Sequence, residues 1–137
     1  MTEYTILTKF RNKEQFDILF AWLQAKGKTC YNLFVISADP KNPSGDVEDQ
    51  MKVFESKDDF FNDIHFKMMF EQDLQWLKNA EKVIVLLPAG NSVHIEAGIA
   101  YGVWKHLILI GKPEKPESLY LIFNEQYDAI EDFLATL

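Results

Sequence analysis

Cysteine is nearly absent from this chain of 137 residues. Cys30 stands alone, which excludes an internal disulfide and any cysteine-rich metal site. Histidine is scarce as well, and His94 has no second histidine at ligand spacing, so neither a metal nor another cofactor is expected. Cations are outnumbered, 14 Lys and Arg against 21 Asp and Glu, for a net charge of -7. That balance leaves no basic surface to displace counterions from phosphates, and it argues against a nucleic-acid polymer as partner while leaving room for one nucleotide in a local pocket. No apolar run reaches membrane length and no signal-like segment is present, so a cytoplasmic protein without a membrane partner is expected. Internal repeats, low-complexity tracts and domain boundaries are missing too. With 47% hydrophobic residues, the expectation is one domain over 1–137 around a real core.

What is present is best read from Glu71 to Gly111. Val83-Ile84-Val85-Leu86-Leu87 is apolar without alternation, as a parallel strand buried on both faces requires, and Pro88 ends it. Gly90-Asn91-Ser92 supplies turn residues and a helix start, with Asn91 or Ser92 as N-cap and the helix beginning at about Val93. Gly98 and Gly102, four apart, would share one face and let that helix approach the sheet closely. His106 to Ile110 is a second buried strand.

The rest follows the same alternation. Tyr4 to Thr8 reads as the first central strand, Glu14 to Lys26 as a helix stopped by Gly27, and Thr29 to Ser37 as another strand. Asp39 to Asp63 opens with turn formers and is long enough to be a lid or binding loop, with a short helix over Val47 to Phe54 and Phe60 and Phe61 as its anchors; its acids read as a solvated surface. A helix follows, with Phe66, Met69, Phe70, Leu74 and Leu77 facing the sheet. Ser118 to Phe123 reads as a fifth strand and Gln126 to Leu137 as a closing helix. Five strands alternating with helices predict an α/β doubly wound, flavodoxin-like parallel sheet in the order 2-1-3-4-5.

Two carboxylates fall in unusual places. Asp73 sits at the edge of an apolar helical stripe, where an unpaired charge is costly, so it has either a cationic partner or a place in a polar pocket. Glu96 lies just past a strand's carboxyl end, where open parallel sheets bind ligands. It could instead simply complement a helix N-terminus.

The run Glu71-Gln72-Asp73-Leu74-Gln75-Trp76-Leu77, then the strand, then Glu96-Ala97-Gly98, resembles the nucleoside 2-deoxyribosyltransferase superfamily, and most nearly its 2'-deoxynucleoside 5'-monophosphate N-glycosidases. The match covers roughly a third of the chain. The resemblance implies cleavage or exchange of an N-glycosidic bond on a nucleoside or nucleotide, with Glu96 as nucleophile, Asp73 as a second catalytic group, and a homodimer or larger assembly. It also implies a first loop that contributes an aromatic and an arginine, here Phe10 and Arg11. That loop, Lys9-Phe10-Arg11-Asn12-Lys13, lacks the family's glycines, and its bland reading is a basic turn beside a core Phe. Gly90, Asn91, Ser92 and His94 complete the candidate substrate-binding set, with free backbone N–H groups there suited to a 5'-phosphate. Trp76, Tyr101 and Trp104 read as packing residues. The aromatic-rich helix from Phe66 to Trp76 offers more apolar surface than one sheet face needs, which fits a self-association surface. A non-catalytic nucleotide-binding or signalling module on the same fold is the competing class.

Overall fold

A computed structural model describes residues 1–35, 46–56 and 58–137. Its five strands are β1 (Thr2–Leu7), β2 (Cys30–Tyr31), β3 (Ala80–Leu86), β4 (His106–Ile110) and β5 (Glu125–Tyr127), all parallel, in the order β2-β1-β3-β4-β5. The helices are α1 (Lys13–Ala25), α2 (Val47–Glu55), α3 (Ile64–Asn79), α4 (Asn91–Gly102) and α5 (Ile130–Leu134). The doubly wound sheet expected from the alternation is the one observed.

Alternation along the strands assigns the two faces. Tyr4, Ile6, Ile84, Leu86, Ile108 and Ile110 point to one side and pack on α1 and α5, through Phe16, Leu19, Leu23, Ile130 and Phe133. Leu7, Val83, Val85, Leu107 and Leu109 point to the other and meet Leu77 of α3 and Val93, Ala97 and Ala100 of α4. Both layers are continuous because β1, β3 and β4 are apolar on both faces. Around the end of β2, rings touch in series: Phe16 on Phe34, Phe34 on Phe10, Phe10 on Phe54, Phe54 on Phe66, and Phe66 on Phe60, at centroid separations of 4.7 to 5.7 Å.

Several local expectations are corrected. Ser118–Ile122 is a 3-10 helix and the fifth strand comes later, at Glu125. Leu121 is 87% exposed, whereas Tyr120, Ile122 and Phe123 pack on the α4 side, a spacing no strand would give. Asn124 then docks on β4, accepting from Leu107 N–H through Oδ1 and donating its own N–H to Leu107 O, and pairing starts from there. The closing helix is accordingly only Ile130–Leu134. The second strand shrinks to Cys30–Tyr31 before a 3-10 turn at Leu33–Val35; its expected last residues, 36–37, and the turn-rich stretch 39–45 lie outside the described residues.

Gly98 and Gly102 do not seat α4, since a Cβ at either would meet nothing within 4 Å; the alanines Ala97 and Ala100 do so instead. Phe70, expected in the buried stripe, is 56% exposed. Phe60 stacks on Phe66, whereas Phe61 is 88% exposed and meets only the edge of Phe60 among the described rings. Trp104 is 91% exposed rather than packed, and it holds a left-handed φ of 65° where α4 ends. Gly111, after β4, has φ 110° and lies so close to Leu87 that a Cβ would come within 2.8 Å of the Leu87 Cβ. Among the described residues no helix is long and apolar enough to cross a membrane.

Candidate active site

α3 and α4 lie side by side on one face of the sheet. Asp73 projects from α3 and Glu96 from α4, and the charge of the first acts on the second. Burial pushes the Asp73 carboxyl up to about 6. Burial, and after it repulsion from Asp73, pushes Glu96 up to about 7. Two carboxyls this close repel as anions, so they lose their protons in two coupled steps. Asp73 keeps solvent contact on one side while protein crowds the rest of its carboxyl.

Among the described residues neither carboxylate has an ion pair or a hydrogen bond. Among the described residues the salt-bridged reading of Asp73 therefore finds no cation. The helix-terminus reading of Glu96 also weakens. α4 starts at Asn91, two residues earlier than expected, with Gly90 as N-cap and no side-chain cap, so Glu96 falls in the second turn and the first turn holds no acid. Dipole stabilisation fades within the first turn. Neither Asn91 nor Ser92 is the cap; with Gly90 they form an exposed helix entrance.

His94 is engaged elsewhere. Its Nδ1 lies 2.7 Å from Gly90 O and its Nε2 2.9 Å from the Tyr120 hydroxyl. A carbonyl only accepts, so Nδ1 carries the proton, and in the neutral ring Nε2 accepts from Tyr120. This contact ties the 3-10 segment after β4 to the start of α4.

The first loop also has structural partners. Arg11 donates from Nε to Glu48 at 2.9 Å and from Nη2 to Glu55 at 2.9 Å, spanning the two ends of α2. Phe10 lies between Phe34 and Phe54. Where that loop closes, Thr8 and Asn12 are buried; Thr8 Oγ1 donates to Leu86 O at 2.8 Å and Asn12 Nδ2 to Thr8 Oγ1 at 2.9 Å, which pins the loop to the end of β3.

Tyr31, not foreseen as a site residue, comes from β2 to the two carboxylates. Burial raises its phenol, and the charges of Asp73 and Glu96 raise it further, well above the usual tyrosine value. Its ring meets that of Trp76 at a centroid distance of 3.4 Å. A tyrosine in a short strand looks ordinary in sequence, and only the pairing of Tyr31 with Thr5 sets where it stands. Two acids that share few protons near neutrality, with a neutral phenol beside them, can accept a proton, donate one, and present an anion to an electrophilic carbon. Among the described residues no group of His, Cys, Asp and Glu is placed to hold a metal ion.

No protein-family model matches the chain, and no curated sequence does. Among the solved structures that share its fold are two enzymes. A CMP N-glycosidase of Clostridium botulinum superposes with a TM-score of 0.54 at 18% identity, over 97% of this chain and 96% of the other. A 2-deoxyribosyltransferase of Bacillus psychrosaccharolyticus superposes with a TM-score of 0.62 at 15% identity, over 96% of this chain and 89% of the other.

Proposed function

We propose that this protein breaks the N-glycosidic bond of a nucleoside or nucleoside monophosphate, passing the sugar to water or to a second base. The observation that carries the reading is the pair Asp73 and Glu96, two carboxylates without a cationic partner among the described residues, raised to about 6 and about 7 and close enough for one to feel the other. The fold shared with an N-glycosidase and a deoxyribosyltransferase supports the substrate class.

In this mechanism a Glu96 oxygen bonds to the anomeric carbon as the carbon–nitrogen bond breaks. The base leaves with the electron pair and takes a proton from Asp73. Water or an acceptor base then attacks the same carbon, returns a proton to Asp73 and frees Glu96. The pair must hold one proton when substrate enters; the higher value of Glu96 leaves that proton mainly on Glu96 in the free protein, so the mechanism requires substrate binding to shift it to Asp73. The exposed entrance of α4 at Gly90, Asn91 and Ser92 is the proposed seat of a 5'-phosphate. Phe10 and Arg11 are assigned to holding α2 rather than to the substrate. Self-association is proposed through α3, which leaves Met68 and Phe70 exposed.

The test is incubation with a panel of nucleosides and monophosphates, read by chromatography for free base. Release or exchange supports the enzyme. The engagement of Arg11 and Phe10 by α2 favours a second reading, a nucleotide-binding module without turnover, which a melting shift without product would support.

A further inference from the structure

Among the described residues the Tyr31 hydroxyl is the one buried side-chain nitrogen or oxygen atom without a hydrogen-bond partner. Buried polar groups are nearly always paired, so an exception marks a place where function takes precedence over packing. Tyr31 cannot easily turn away, because its backbone is held in β2 opposite Thr5 and its ring lies against Trp76. Trp76 follows Asp73 by three residues and shares its face of α3, which places the phenol on the face that carries Asp73. Asp73 is also the charge that acts on Tyr31 most strongly, with Glu96 second. The phenol therefore stays protonated throughout the range in which the acids titrate. It is a fixed donor within the electrostatic reach of two acceptors.

We propose that Tyr31 is the positioning residue of Asp73, its hydroxyl donating to one carboxylate oxygen and so turning the other toward the departing base. Asp73 is the partner free to turn, since it is exposed while Tyr31 is held between strand and indole. The inference rests on the acid/base reading of Asp73 given above.

Tyr31→Phe removes one oxygen and keeps the ring on Trp76. In the variant, carbon-13 NMR of the Asp73 carboxyl should show its midpoint displaced to higher pH, because a donor to the ionised form is gone. With a substrate that wild type turns over, kcat should fall about tenfold while KM stays within about twofold. An Asp73 midpoint that does not move in the folded variant overturns the proposal. If the variant does not fold, wild type decides: the Tyr31 ring carbon bearing oxygen should shift in step with Asp73 ionisation, and a flat response overturns the proposal equally. Should wild type release no base at all, the proposed activity falls, and the two titrations still settle the Tyr31 contact.

Discussion

Asp73 and Glu96 reach each other from neighbouring helices, and the anion of the first makes the second harder to ionise. A carboxylate brought near neutrality in this way is suited to chemistry and poorly suited to stability, and both consequences can be measured.

Replacing Glu96 by glutamine keeps shape and helix but removes the anion that would bond to the sugar. Base release should fall by on the order of a hundredfold or more, since the loss acts on the transition state. Melting near neutral pH should be no lower than wild type. A mutant that turns over like wild type would end the case for Glu96.

The pH–rate profile should be bell-shaped. Activity should rise as the pair loses its first proton, at about 6, and fall as it loses its second, at about 7. These midpoints belong to the pair rather than to single residues. A profile flat from pH 5 to about 8 would contradict a shared proton.

Stability should show the same pair with the opposite economy. Both folded-state values lie above the ordinary carboxylate range, so each acid contributes stability at low pH that is lost as pH rises through about 6 and about 7. Glu96→Gln should therefore match wild type in melting at about pH 4 and exceed it at about pH 8. Asp73→Asn should behave likewise with a smaller gain, because Asp73 is solvent-exposed. An advantage confined to acid pH would reverse the sign and refute the assignment.

Gly111→Ala should destabilise the chain by about 1–3 kcal/mol in denaturant unfolding, because it combines a left-handed φ with a contact against Leu87 Cβ. Gly98→Ala, whose Cβ meets open space inside a helix, should be neutral or stabilising.

Light scattering at micromolar concentration should give at least twice the mass of one chain. Phe70→Glu should shift that mass toward the monomer if the α3 face is the contact. A monomeric wild type counts against the assembly.

Much of this architecture is legible in the residues because β3 and β4 are buried on both sides and so carry the unbroken apolar runs Val83 to Leu86 and Leu107 to Ile110. β5 carries no such run. Its Glu-Gln-Tyr lies at the sheet's margin and is polar, while the neighbouring Ser118–Ile122 is apolar enough to imitate a strand. The site divides in the same way. Asp73 shows itself as an acid on the edge of a stripe and Glu96 through its motif, whereas Tyr31 depends on a pairing between strands that one sequence does not encode locally. Arg11 looks like a ligand-binding residue until Glu48 and Glu55, 37 and 44 residues away, are found holding it.

The column of phenylalanine rings has a consequence for how molecules of this protein can meet. It starts at Phe16, among the α1 contacts on one face of the sheet, and ends beside α3 on the other, turning the corner where β2 stops. β2 is itself only two residues long, and at the other margin β5 has three. Little free backbone is thus left for a neighbouring molecule to extend the sheet. Strand-to-strand growth is disfavoured by edge strands this short.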